Sequence, residues 1–388
     1  MLIDRYLLRQ FIKAFLIFFC SLTGLYIVID AFNNLEEFIT FAKTHDGLRS
    51  LAPEGQSGNL FLIIGEYYAP RALGFFDQTS GILTLISAMF TVTWIQRFNE
   101  LTALQAAGMS KRRVLRPVIV AVGLIAVLAA LDREFVIPLF RYELSHNAQN
   151  LGGTNSRELK PRWDNQTEVL FRGASMHADE RRIAKPSFLL PSTLEDYGKQ
   201  LMAEDAFYEP ATGDHPGGYR MSRLSQPRDL AQKPSLKLGE RTILFTPRDL
   251  RGLQPDECFV ASDITFEQLE DGASWRQYSS LRDLIVGLRN PSLDFGADVR
   301  VTIHARFVQP FLDATLLFLG LPLILAGENR NVFRAIGMCL ALVLCFELLV
   351  LTCQWLGSSY YVNPSLAAWL PLMIFVPCAM AVVDPLLE

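Results

Sequence analysis

The sequence predicts an α-helical membrane protein with six transmembrane helices, three on each side of an inserted antiparallel β-sandwich or jelly-roll domain. Half of the residues are apolar, and the mean hydropathy of +0.22 is high for a soluble protein of this size. The apolar residues concentrate in 11–136 and 302–385, whereas the residues between them are rich in charged residues, Pro and Gly. The predicted domains are therefore 1–136, 137–301 and 302–388.

Six stretches are long and apolar enough to be membrane helices. A helix needs about 20 mostly apolar residues to cross roughly 30 Å of hydrocarbon, where it satisfies its own backbone hydrogen bonds. The predicted spans are 11–34, 71–98, 112–136, 302–326, 333–356 and 364–385. An amphipathic stretch at 59–68 precedes the second span, and we expect Pro70 to separate the two.

Lys and Arg concentrate in alternate loops, which predicts the orientation in the membrane. They lie before the first span, around the loop between the second and third, and between the fourth and fifth: Arg5, Arg9, Lys13, Arg97, Lys111, Arg112, Arg113, Arg116, Arg330 and Arg334. The opposite short loops contain fewer of them. We therefore expect both termini in the cytoplasm and the polar domain on the outer side.

The polar insert contains short β-type runs separated by turn residues. The runs are 168–172, 188–190, 201–208, 219–224, 242–246 and 259–266. Breakers at 212–214 and 216–218 separate two of these runs as in a hairpin. This pattern favours an antiparallel sandwich or an open jelly roll. The stretch 279–289 is predicted to be helical, with Ser280 as its N-cap.

Motifs for catalysis and nucleotide binding are missing from the sequence. No phosphate-binding loop of the G-x-x-x-x-G-K-[ST] type occurs, so this chain does not itself hydrolyse ATP in that manner. The five histidines lack metal-ligand spacing. A net charge of -4 argues against general nucleic-acid binding. We expect no enzyme site, no metal and no cofactor bound by this chain.

Residues 99–108 predict a short helix on the cytoplasmic face. Asn99 can cap it, Glu100 suits the positive end of the helix dipole, and Gly108 can end it two turns later. We expect Leu101 and Leu104 to be exposed beside Glu100. Such a helix can dock in the groove of a soluble partner. The alternative is a helix that only links two spans.

Ionisable residues inside predicted spans are the second indication of a functional site. Inserting one such residue at mid-membrane costs about 2.5–3.5 kcal/mol. They are Asp30, Arg306, Asp313 and Glu347. Arg306, Gln309 and Asp313 lie at steps of three and four, so they form one polar stripe that faces the protein interior or a substrate cavity. The alternatives are hydrogen bonds between helices that only fix packing, and snorkelling of Asp30 and Arg306.

Four segments together resemble the lipopolysaccharide export permeases of the LptF/LptG (YjgP/YjgQ) family. They are LIDRYLLR at 2–9, the helix at 99–108 with its Glu-Leu start and Ala-Ala-Gly end, HARFVQP at 304–310 and GLPL at 320–323. The likeness extends over essentially the whole chain. One difference is Asp30, which lies where several members of the family have a basic residue.

The resemblance implies a multi-pass protein of the bacterial inner membrane with a periplasmic β-jelly roll. It also implies a second homologous permease, a cytoplasmic ABC ATPase dimer that holds the ATP, and a periplasmic bridge protein that receives lipopolysaccharide. By this resemblance Glu100 would be the main ATPase contact, and Leu101 and Leu104 would pack in the ATPase groove. Arg97 and Gly108 would belong to the same coupling segment.

Two other function classes remain open from the residues alone. A membrane-anchored envelope sensor or scaffold would bind its ligand through the β-domain, and it would not purify with an ATPase. A proton-coupled secondary transporter would use Asp313 and Glu347, and a pH gradient would drive it without nucleotide. The sequence contains no inverted repeat that favours the transporter.

Overall fold

The computed structural model divides the chain into two compact units. The helical unit comprises Met1–Leu144 and Gly296–Glu388, and the β-rich unit comprises Ser145–Phe295; the sequence placed these boundaries at 136 and 302. The structure describes residues 2–44, 60–145, 148, 158–177, 180–191, 197–212, 215–227, 229–239, 241–250, 252–270, 272–293, 296–325 and 332–382. Outside them lie Asn59, Gly213, Asp214, Arg330 and the predicted span ends at 326 and 383–385.

Long helices make up the described part of the helical unit. They are α1 (Leu2–Asn33), α2 (Leu35–Thr44), α3 (Leu60–Arg97), α4 (Glu100–Ala106), α5 (Lys111–Leu131), α6 (Arg141–Ser145), α10 (Ala297–Leu325), α11 (Val332–Ser358) and α12 (Pro364–Val382). A π-helical turn, Asp132–Val136, and a 3-10 turn, Ile137–Phe140, continue α5 without a break.

Among the described residues, five helices are long and apolar enough to cross a membrane. They are Ile3–Asn33, Leu60–Arg97, Lys111–Ser145, Gly337–Ser358 and Pro364–Val382. The predicted fourth span lies in α10, which is not one of these five. The membrane character is thus supported, and the full count of six spans stays a prediction.

Pro70 does not separate the stretch at 59–68 from the second span, so that prediction was wrong. The helix α3 continues from Leu60 to Arg97 with Pro70 buried inside it. Within a membrane-type bundle, neighbouring helices and local adjustments can satisfy the carbonyl that a proline leaves unpaired. A proline is therefore a weaker helix boundary here than in a soluble protein.

Buried apolar side chains from several helices form the core of the helical unit. Phe11 of α1, Val92 of α3, Val118 of α5, Val308 of α10 and Phe346 of α11 belong to one cluster. Many large apolar side chains of α1 and α11 point outward instead. An apolar exterior around an apolar core is typical of helices that face lipid.

The β-rich unit contains one antiparallel sheet of ten described strands. They are β1 (Arg162–Trp163), β2 (Leu170–Phe171), β3 (Ser175–His177), β4 (Arg182–Ala184), β5 (Ser187–Leu189), β6 (Gln200–Glu209), β7 (Gly218–Gln226), β8 (Leu236–Leu238), β9 (Arg241–Phe245) and β10 (Cys258–Ala261). The order is β1-β2-β5-β6-β7-β10-β9-β8, with β3 paired to β4 and β4 also paired to β6. This confirms an antiparallel β-domain, whereas the finer sandwich or jelly-roll class is not established.

All six predicted runs overlap strands, but the first contains only the two-residue strand β2 and the last is also only partly correct. The run 259–266 is a strand to Ala261, after which the chain turns and Phe266 begins α7 (Phe266–Glu270). Two further helices follow, α8 (Gly272–Tyr278) and α9 (Leu281–Leu288). The predicted N-cap is confirmed, because the Ser280 hydroxyl accepts a hydrogen bond from the Asp283 amide.

Aromatic side chains form the centre of the β-rich unit. The ring of Phe171 lies 4.7 Å from that of Phe188 and 5.2 Å from that of Tyr219. All three are fully buried, and the Tyr219 hydroxyl donates to the Ile264 carbonyl at 3.1 Å. Burying the ring while pairing its hydroxyl gives apolar stabilisation without an unsatisfied polar group.

An ion cluster ties β4, β6 and β7 together around Asp205. Its carboxylate accepts a hydrogen bond from Arg182 at 2.8 Å and another from Arg223. Burial raises the pKa of Asp205, but the hydrogen bonds and charges of the two arginines lower it by more. The folded pKa therefore lies below the ordinary value, so this carboxylate stabilises the fold above that value and loses its effect as the pH falls through the folded pKa.

Replacing Asp205 by Asn is expected to reduce the free energy of unfolding of this sheet by about 1.5–3 kcal/mol at neutral pH. The difference from the unaltered chain should shrink below about pH 4, where an unfolded Asp becomes protonated. Hydrogen exchange of the β6 amides, followed in the full chain at pH 7 and pH 3, measures this difference in stability. Asp229→Asn, which removes an exposed pair with Lys233, is the control and should change protection little. Equal protection in both variants at pH 7 would contradict the assignment.

Candidate functional site

The short helix α4 connects α3 to α5, as the sequence predicted for residues 99–108. Gly108 has a φ of +83°, and its amide donates to the Gln105 carbonyl at 2.9 Å, so it stops the helix in a conformation that suits glycine. The predicted side-chain cap at Asn99 is wrong. Asn99 adopts a left-handed backbone with no side-chain cap bond, a conformation that Asn tolerates better than most residues.

Leu101 does not lie on the exposed face of α4, contrary to the prediction. Only 5% of it is exposed, and it packs in a small cluster with Leu7 of α1, Ile95 of α3 and Val114 of α5. Leu104 lies partly buried at the edge of the same cluster. The spacing of three residues therefore marks the inner face of α4, because the ends of α1, α3 and α5 supply enough apolar surface to bury it.

Glu100 lies at the first position of α4 and is partly exposed. Its two carboxylate oxygens accept hydrogen bonds from the Tyr6 hydroxyl at 3.2 and 3.1 Å. The N-terminal end of α1 therefore lies against the start of α4. The carboxylate retains further acceptor positions for a partner.

The outward face of α4 is built from small and polar side chains. Thr102, Ala103, Gln105 and Ala106 are exposed, and so are the preceding Arg97 and Phe98. The Phe98 ring is 54% exposed and lies 4.8 Å from the ring of Trp94. We call the exposed residues Thr102, Ala103, Gln105 and Ala106 the outward face of α4. Small side chains allow another protein surface to approach the backbone of α4 closely.

Asp30 joins two helices. Its carboxylate accepts a hydrogen bond of 2.6 Å from the Tyr68 hydroxyl, linking α1 to α3. The Tyr68 ring in turn lies against Tyr26 and Phe38. This arrangement matches the alternative in which Asp30 fixes helix packing.

The predicted polar stripe on α10 divides into two parts. Gln309 donates to the Asp313 carboxylate at 3.0 Å, one helical turn away, as the spacing predicted. Asp313 lies over Gly81 of α3, where an added Cβ would be 2.5 Å from a carboxylate oxygen. Arg306 instead pairs with Glu134 at 3.5 Å. Gly81 is therefore the residue that lets this carboxylate pack against α3.

Glu347 is partly buried in α11. Within the described chain, no hydrogen bond or ion pair joins it to the other polar residues predicted in the spans. The structure thus places Glu347 near enough to Asp313 for their charges to interact, while Asp30 bonds to α3 instead.

Sequence reasoning missed three residues that take part in charge pairing between helices: Asp77, Arg133 and Glu134. Arg133 donates to the Asp77 carboxylate at 2.8 Å, joining the π-helical turn to α3. The signal was present, because both residues lie inside predicted spans, at 112–136 and 71–98. Asp77 immediately precedes the uncharged run that marked the second span.

Comparison with known protein families identifies the family of this chain. The family described as lipopolysaccharide export system permease LptF/LptG matches residues 5–383. The chain belongs to the LptF/LptG family. The match covers nearly the whole chain and confirms the resemblance drawn from the four sequence segments. Among curated proteins, no match is found.

Membership in the LptF/LptG family defines the chain as a permease of the lipopolysaccharide export system. Together with the long apolar helices, it places the chain in the inner membrane as a multi-pass protein. A permease moves its cargo without changing it chemically, so the relevant features are surfaces and linkages between helices. In this LptF/LptG protein the features of interest are α4 and the charged residues between helices.

Proposed function

We propose that this chain extracts lipopolysaccharide, or a similar amphipathic glycolipid, from the inner membrane with energy from a separate ABC ATPase. The proposed assembly contains a second homologous permease, a cytoplasmic ATPase dimer docked on α4, and a periplasmic bridge protein that receives the lipid. The proposed topology has six spans, cytoplasmic termini and a periplasmic β-rich unit.

The attachment of α4 is the observation that carries this proposal. Its inner face is fixed by Leu101 against the ends of α1, α3 and α5, and Thr102, Ala103, Gln105 and Ala106 on its outward face are exposed. A force applied to the outward face therefore reaches three long helices directly, because packed side chains transmit displacement with little compression. A linker helix without such attachment would absorb the force in its own loops.

The location of charge supports docking from the cytoplasm. The end of α3, the start of α5 and the start of α1 meet at the cluster around Leu101, and Leu325 at the end of α10 also packs there. Arg5 near the start of α1, Arg97 at the end of α3 and Lys111, Arg112 and Arg113 at the start of α5 lie at this same end of the helical unit. Loops rich in Lys and Arg stay on the cytoplasmic side.

The polar residues within the helices belong mainly to packing in this proposal. Gln309 and Asp313 bond to each other against Gly81, and Arg306 bonds to Glu134. Their polar groups are thus satisfied inside the chain. The lipid would instead contact the outward apolar surfaces of the helices, which match the acyl chains of an amphipathic lipid.

Purification of the tagged chain from native membranes tests the proposal. We expect an ABC ATPase and a second LptF/LptG permease to purify with it, and the assembly to release lipopolysaccharide from proteoliposomes only when ATP is supplied. A chain that purifies without an ATPase, and binds an envelope ligand through its β-rich unit, would instead be the sensor or scaffold. Release driven by a pH gradient without nucleotide would indicate the secondary transporter.

A further inference from the structure

Four charged side chains form a continuous group between three parts of the helical unit. Asp77 belongs to α3, Arg133 and Glu134 to the π-helical turn after α5, and Arg306 to α10. Arg133 pairs with Asp77 at 2.8 Å, and Arg306 pairs with Glu134 at 3.5 Å. Asp77 also experiences the charges of Arg306 and Glu134. We call this group the four-charge cluster.

The cluster is largely buried, with Glu134 its most exposed side chain at 29%. The side chains of Asp77 and Arg133 are 14% and 19% exposed, and that of Arg306 is 9% exposed. Charges held in a weakly polar environment attract strongly, and separating one from its partner leaves an uncompensated buried charge. Sliding α3 or α10 away from the π-helical turn is therefore opposed by these pairs.

One segment, the π-helical turn, reaches two helices. Successive residues of any helix project in different directions, so the adjacent residues Arg133 and Glu134 can face different neighbours. Arg133 faces α3 and Glu134 faces α10. π-helical turns inside longer helices often occur at functional positions.

The position of the cluster relates it to α4. Asp77 lies about 20 residues before the end of α3, which is roughly 30 Å along a helix, and Arg133 follows the end of α5. The cluster thus connects α3 to the end of α5 at one end of these two helices. The helix α4 connects them at the opposite end. The helix α10 already shares an apolar core with α3, α5, α11 and α12, and the four-charge cluster adds charged links between α10 and the α3–α5 pair.

We infer that Asp77, Arg133, Glu134 and Arg306 are positioning residues that make α3, the end of α5 and α10 move as one body during lipid export. The inference rests on the proposed function. When α4 is displaced, α3 and the end of α5 then move together with α10, and the movement is passed on to α11 and α12. These residues need not contact the lipid to act in this way.

The test replaces one ion pair by apolar residues in the full complex. Asp77→Leu with Arg133→Met removes both charges of this pair together, so neither is left buried without the other and the chain should still insert. We expect ATP hydrolysis to persist while the lipid released per ATP falls about fivefold or more, which corresponds to the loss of a typical coupling between sites. Asp77→Glu with Arg133→Lys keeps both charges and should largely retain release.

Normal release by the apolar double variant would overturn this inference alone. Equal loss in the charge-conserving variant would also overturn it, because packing and not charge would then be responsible. Should the first variant fail to insert, Glu134→Leu with Arg306→Met removes the other ion pair, and the same outcomes apply. Failure of the unaltered complex to release lipid with ATP would overturn the proposed function as well.

Discussion

Glu100→Ala is expected to weaken ATPase docking about tenfold or more and to abolish most ATP-driven lipid release, because truncating a central charged contact of an interface commonly has this effect. The chain should still insert in the membrane, since Glu100 is partly exposed at the surface of α4. ATPase binding and lipid release from proteoliposomes are the two measurements.

Tyr6→Phe is the matched control for Glu100. It removes the hydroxyl that donates to Glu100 and leaves the carboxylate in place for a partner. We expect this variant to retain most of its release. If Tyr6→Phe and Glu100→Ala lose release equally, the carboxylate acts within this chain by holding α1 against α4, and the proposed ATPase contact is wrong.

Leu101→Ala is expected to free α4 from the ends of α1, α3 and α5. Truncating a buried Leu costs about 2–5 kcal/mol, because apolar contacts are lost and a cavity is left. Most of this cost should appear as local opening of α4, since the long helices keep their own cores. Faster hydrogen exchange in residues 100–106, with reduced lipid release per ATP, is the expected result.

Leu104→Ala provides the comparison for Leu101. Leu104 lies only partly buried at the edge of the cluster, so its truncation removes less buried surface and should change exchange less. An effect of Leu104→Ala larger than that of Leu101→Ala would contradict the structure at α4. It would also restore the original expectation that Leu104 is a direct contact with the ATPase.

The sequence predicted the helices and longer strands because their signals are local. Apolar length marked α1, α11 and α12, and β-type runs between turn residues marked β6 and β7. The short strands β2 and β5 overlapped predicted runs, whereas β1, β3, β4 and β8, which also contain two or three residues each, were not predicted. Their pairing depends on distant partners, which local patterns do not contain.

The candidate site was predicted in position more accurately than in orientation. The segment 99–108 does contain the short helix α4, and Gly108 does stop it. The exposure of Leu101 was wrong because spacing defines a face and does not tell whether that face turns toward the chain or away from it. Arg133 and Asp77 each lie inside a predicted span, but their pairing joins positions 56 residues apart and could not be read from local patterns.

Photo-crosslinking from Ala106 in native membranes tests the central claim most directly. Ala106 lies exposed on the outward face of α4, and Lys237, exposed on strand β8, serves as the control position. The account predicts that a photoreactive residue at 106 captures a cytoplasmic ABC ATPase and that one at 237 does not. Absence of an ATPase adduct at 106, or labelling of that position from the periplasmic side, would contradict it.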